Sequence, residues 1–245
     1  MADRMQYSES DPRHHTARIK QMLTDLINHA REDVSKVNDP KAPAGEISFA
    51  RSFPVTKANR DVLLAYKING VELPPEHGFP VRAIVPGWYA MASIKWLTRV
   101  IVIERPFNGY YQTLDYAFWK NNELVPLAEM QVKAEIARPA PGEIVPANAT
   151  MRVRGAAWTS DGEIVKVEVS TDGGSTWSDT KLIGDSKANA WRLWEFDWHT
   201  PIKPGKQVLI ARATDSRGFM QSAERDADRG TYMINHLLPI TVEVT

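Results

Sequence analysis

Apolar residues between His15 and Glu32 recur at intervals of three and four: Ile19, Met22, Leu23, Leu26, Ile27 and Ala30. That spacing lines one face of an α-helix and predicts an amphipathic helix that needs a packing partner. Residues 1–14 ahead of it are polar and of mixed charge, and are predicted to be a disordered tail. Lys41-Ala42-Pro43-Ala44-Gly45 breaks the pattern and reads as a loop. From Val62 the pattern changes: Val62–Ile68, the pair Asn69-Gly70 and the short run Val71–Leu73 predict a strand, a tight turn and a returning strand. Val81–Val85 and Trp96–Ile103 are further short strands, separated by a turn at Ala90-Met91-Ala92.

After Leu127 the chain changes character. Pro139, Pro141 and Pro146 punctuate a connection, and short alternating segments follow: Met151–Trp158, Ile164–Ser170, Ala190–Trp198, Val208–Ala213 and Ile240–Val244. Turn signals at Ser160-Asp161-Gly162 and Asp172-Gly173-Gly174 separate them, a spacing that predicts an antiparallel β-sandwich. Alternation within 190–198 puts Arg192, Trp194, Phe196 and Trp198 on one face and Trp191, Leu193, Glu195 and Asp197 on the other. Tryptophans so arranged are expected to be core, not a sugar-stacking platform. The pattern divides the chain near residue 127, into 15–127 and 128–245.

Composition narrows the classes of function. The 245 residues are 43% hydrophobic and 24% charged with zero formal net charge, as in an ordinary globular protein. Zero charge gives no electrostatic case for nucleic acid or an anionic membrane as partner. No apolar run is long enough to span a bilayer, and the N-terminus lacks the apolar core of a signal peptide. The chain as written is therefore expected in the cytoplasm, or in the periplasm if a preceding segment carries an export signal. The sequence contains no cysteine, which excludes disulfides, thiolate metal ligands and cysteine nucleophiles from these residues.

Two groups could carry chemistry. His77, Arg82 and Lys95 surround a stretch punctuated by Gly78, Pro80, Pro86 and Gly87. A forked guanidinium, an ammonium and an imidazole near glycine-rich backbone suit a phosphorylated ligand, and equally suit solvated strand and loop positions. Asp115-Tyr116 can be a proton donor with its neighbouring carboxylate, or a packed aromatic with a satisfied hydroxyl. The six histidines show no spacing typical of a zinc site, so no metal held by side chains alone is expected. Serine-elbow, Walker and Rossmann motifs are absent.

The run HGFPVRAIVPGWYAMASIKWLTR (77–99) resembles the pterin-binding segment of the sulfite oxidase family of molybdenum enzymes. The resemblance extends through Ser52-Phe53-Pro54, Asp61–Tyr66, Asn69-Gly70, Leu73-Pro74, Tyr111-Gln112 and Asp115-Tyr116. Val165–Ser170, Asp172-Gly173-Gly174, Thr176-Trp177, Ala190-Trp191, Trp194 and Ala211–Asp215 resemble the family's immunoglobulin-like dimerisation domain. It implies an α+β fold class, with a partial molybdopterin-binding domain over 15–127 and an immunoglobulin-like antiparallel sandwich over 128–245. It further implies a molybdenum–molybdopterin cofactor contacted by His77, Arg82, Ser93, Ile94 and Lys95, with Tyr116 and Asp115 beside the substrate. The family transfers oxygen to sulfite or a related small substrate and passes electrons singly to a haem or cytochrome.

The resemblance also implies a homodimer through the C-terminal domain and a cysteine ligand supplied by a segment preceding this stretch. The chain is therefore expected to be a split or truncated member, completed by a separate N-terminal polypeptide carrying that cysteine. The alternative is an inactive dimerisation and scaffold module with a vestigial pterin loop. The family's C-terminal arginine facing the substrate would fall near Asn235–Pro239, with Arg229 close by.

Overall fold

The computed structural model describes residues 23–33, 46–229 and 232–245. The predicted tail 1–14, the first part of the predicted helix and the loop 41–45 lie outside the described residues. The chain forms two compact units: one from residues up to Val85 with Ala90–Ala117, the other from Pro86–Tyr89 with Phe118–Thr245.

In the first unit the expected helix is corrected. Leu23–Asp33 is a strand, the middle one of a three-stranded antiparallel sheet between Glu46–Pro54 and Leu97–Ile103. Its register shifts between Ile27 and Arg31 against one neighbour, and between Ile27 and Asn28 against the other. Bulges of this kind break the two-residue period by which a strand is recognised, leaving the helix-like spacing of Leu23, Leu26, Ile27 and Ala30 as the visible pattern. Two flanking strands then supply the backbone partners that local propensity would have found within a helix.

The remainder of the unit follows its turn residues. Lys67–Ile68 and Val71–Glu72 pair across Asn69-Gly70, whose φ values of 52° and 84° are those of a tight hairpin turn. Leu63–Ala65 pairs with Arg82–Ile84, and Ala90–Ala92 forms a 3-10 turn. Among the described residues the one α-helix is Val55–Arg60, so the described fold is mostly strand with few helices.

The second unit holds two sheets around one core. The first has the order Lys133–Arg138, Thr150–Trp158, Arg192–His199, Lys181–Ile183. The second runs Ile144–Val145, Ile240–Val244, Gly205–Asp215, Ile164–Ser170, Ser178–Asp179, antiparallel except for the first pair. Val153, Ala157, Trp194 and Trp198 from one sheet meet Val167, Val169, Leu209, Ala213 and Val242 from the other. Trp194 and Trp198 are core as expected, whereas Trp191 is 75% exposed on the opposite face. A hairpin of Ala117–Lys120 and Glu123–Pro126 turns at Asn121-Asn122, both with positive φ.

Candidate functional site

The first site residue group is assembled by a short loop. Pro75–His77 forms one 3-10 turn ending at Gly78, whose φ of 104° suits glycine. A Cβ at Gly78 would lie 2.9 Å from the Lys95 Cβ and 3.2 Å from the Arg82 Cβ. The missing side chain therefore lets Arg82 and Lys95 start from adjacent points of the backbone. Arg82 Nη1 donates to the His77 carbonyl at 3.2 Å, and Lys95 Nζ to the Glu76 carbonyl at 3.0 Å. Lys95 also sits 4.3 Å from the centre of the Trp96 ring, and the Trp96 indole donates to the Pro75 carbonyl. The Pro75–His77 turn thus receives Arg82 from the start of the Arg82–Ile84 strand and Lys95 from the segment after Ala90–Ala92.

Ser93 and Ile94 support that loop. The Ser93 hydroxyl accepts the Val85 N–H at 3.0 Å, and the Ile94 carbonyl accepts the Ala83 N–H at 2.8 Å. Ile94 is buried in the core. Both residues hold the Arg82–Ile84 strand in place, so within the chain they act as braces for the cations.

One observation at this loop points to a ligand. Arg82 Nε is buried and has no hydrogen-bond partner among the described residues. A buried orphan donor costs about 1–3 kcal/mol, a cost that a bound anion removes. The forked guanidinium, the neighbouring ammonium and the glycine-floored cradle fit a phosphate group. No group of three or more potential metal-ligating side chains occurs among the described residues.

Asp115 and Tyr116 belong to a second cluster, at the end of the π-helical turn Tyr111–Asp115. Phe49 packs against Tyr111 at 4.7 Å and against Tyr116 at 6.0 Å between ring centres. Arg51, fully buried beneath the turn, donates to the Tyr111 carbonyl at 2.6 Å. Burial lowers the Arg51 pKa to about 10, with Tyr116 and Asp115 pulling it back up, so the group stays cationic at neutral pH. The Gln112 side chain bonds the backbone and hydroxyl of Ser52. Sequence reasoning missed Arg51; its one signal, a cation inside an apolar run before Pro54, is weak.

The second unit contains a polar cavity of about 370 Å³ lined by Gln131, Ser160, Arg217, Asp226, Arg229 and Asn235, among others. Arg229 is fixed there by Asp226 and by Gln131, each at 2.8 Å. Burial pushes the Tyr89 hydroxyl up, while the Gln131 backbone and Arg229 pull it down.

With this geometry in view, two family descriptions match the chain in the order of its two units. Residues 17–111 match an oxidoreductase molybdopterin binding domain, and residues 125–235 match a Mo-co oxidoreductase dimerisation domain. The chain belongs to the sulfite oxidase family of molybdopterin-dependent oxidoreductases. Sulfite oxidase of Gallus gallus is 36% identical over 193 residues, 71% of this chain and 41% of that protein. The mitochondrial sulfite oxidase of Homo sapiens is 33% identical over 195 residues, covering 73% and 35%. A nitrate reductase [NADH] of Lotus japonicus is 33% identical over 184 residues, covering 64% and 20%. This family member thus spans 35–41% of the length of the sulfite oxidases it matches. Among solved structures, the sulfane dehydrogenase SoxCD from Paracoccus pantotrophus superimposes with a TM-score of 0.74 at 24% identity. It covers 91% of this chain and 55% of that one, a likeness of fold.

Proposed function

We propose that this chain is the pterin-phosphate-holding and dimerising part of a molybdenum-cofactor-dependent oxidoreductase acting on sulfite or a related small anion. The observation that carries this reading is the Arg82–Lys95 cradle with its buried orphan donor, in a chain of this family. In this reading Arg82 and Lys95 take the phosphate of the cofactor, and His77 holds its edge. Ser93 and Ile94 keep the Arg82 strand in register. When bound, the cofactor supplies oxygen-atom transfer and stores the electrons released. Tyr116 orients the substrate by its hydroxyl, and Asp115 beside it holds or releases a proton. A thiolate tied to the metal would come from outside these residues, which contain no cysteine.

The reading includes a partial α+β molybdopterin-binding domain over 15–127 and an immunoglobulin-like sandwich over 128–245. The shared core of the two sheets and the matched dimerisation domain support the second of these, and with it a homodimer. A haem or cytochrome would accept electrons one at a time.

The absence of cysteine from these 245 residues favours a second reading, a scaffold that binds pterin or dimerises without turnover. One experiment separates the two. Chain produced in cells that make the cofactor, together with an N-terminal polypeptide supplying the cysteine thiolate, is expected to reduce a one-electron acceptor on addition of sulfite, with Tyr116→Phe lowering kcat about tenfold or more. Chain that carries pterin and never turns sulfite over establishes the scaffold.

A further inference from the structure

Arg51 plays no part in the phosphate cradle, yet it is the most deeply buried cation among the described residues, at 1% exposed. Its strand grips the turn Tyr111–Asp115 at three positions. Phe49 packs on Tyr111 and Tyr116, Ser52 is clamped by the Gln112 side chain, and Arg51 Nη1 bonds the Tyr111 carbonyl. That same carbonyl accepts the Tyr116 N–H at 3.3 Å, the bond that closes the turn. One oxygen therefore links Arg51 to the backbone of Tyr116.

The choice of residue is informative. A neutral amide in this place could hold the Tyr111 carbonyl without the cost of burying a charge. A cation is worth its desolvation only where opposite charge or developing charge faces it. Asp115 and, as phenolate, Tyr116 are among the groups whose fields act on Arg51, and at neutral pH the opposite charge is that of Asp115.

We propose that Arg51 is a positioning residue for the Asp115–Tyr116 pair, using its charge to fix the turn that presents them. This rests on the reading that Tyr116 meets the substrate. The role belongs to the strand Glu46–Pro54, outside the pterin cradle, and makes the placement of Tyr116 depend on a buried cation.

Two substitutions separate charge from hydrogen bonding: Arg51→Lys keeps the charge, and Arg51→Gln keeps a donor without it. Hydrogen exchange of residues 109–117 in the full chain is expected to quicken about tenfold in Arg51→Gln and to stay near wild type in Arg51→Lys. Exchange in the second unit should be unchanged in both. In the cofactor-loaded protein, Arg51→Gln lowers kcat about tenfold with KM within about twofold, and Arg51→Lys restores it. The two variants behaving alike, whether both as wild type or both perturbed, overturns the proposal. Should Arg51→Gln fail to fold, Asp115→Asn reads the same coupling from the turn: faster exchange over 109–117 supports it, and unchanged exchange overturns it. If the wild type, supplied with the cysteine-bearing polypeptide, never oxidises sulfite while the exchange pattern holds, the oxygen-transfer reading fails and the positioning role stands.

Discussion

At the scale of single residues, the site depends on one missing side chain. Gly78 combines a left-handed φ with a close approach to Lys95, whose Cα would lie 3.0 Å from an added Cβ. Gly78→Ala should therefore displace Lys95 or unwind the loop, costing about 1–3 kcal/mol of stability as read by thermal melting. An unchanged melting temperature would mean that the loop relaxes freely and does not hold its cations in fixed relation. The glycines and prolines around His77, Arg82 and Lys95 were legible in the sequence, but their spacing alone left a phosphate site and solvated positions both open. Arg51 was not legible, because a buried cation looks like any other charged residue until its neighbours, 60 positions away, are known.

At the scale of elements, turn chemistry was the most readable signal. Asn69-Gly70 marked its hairpin, and the turn at Asp172-Gly173-Gly174 marked the end of a strand. The bulged strand Leu23–Asp33 was misread because its stability comes from two partners distant in sequence, and its own pattern mimics a helix. Lys133–Arg138 escaped notice beside its prolines.

The turn Asp215–Phe219 carries a prediction of its own. Asp215 accepts from the Thr159 hydroxyl, from the Arg217 guanidinium, and from the backbone N–H groups of Arg217 and Phe219. Burial pushes its pKa up, but those hydrogen bonds outweigh it and hold the group below the ordinary carboxylate value. A carboxylate depressed in the folded state adds stability above its unfolded pKa, near 4, and loses it as pH falls through the folded value. Acid unfolding of the second unit should therefore steepen below about pH 4. Asp215→Asn should lower stability at pH 7 by about 1–3 kcal/mol and flatten that acid limb. An acid limb identical to wild type in far-ultraviolet dichroism would remove Asp215 from this role.

At the scale of the molecule, two units with separate strand systems accompany two different family matches. The second holds a core shared by its two sheets, in which Trp194 is completely buried. It matches a dimerisation domain, so the full chain should sediment as a dimer at micromolar concentration; a monomer at that concentration would contradict the homodimer. The first unit presents the cradle on short, irregular elements, the kind of scaffold that a bound ligand stabilises by mass action. In the proposed reading this cradle holds the phosphate end of molybdopterin. Its most direct test is the pterin content of the full chain, produced in cells that make the cofactor, against the Arg82→Gln/Lys95→Gln double variant. Near-stoichiometric pterin is expected in the wild type, with a loss of about tenfold or more in the double variant. Equal pterin in both proteins, or none in the wild type, would contradict it.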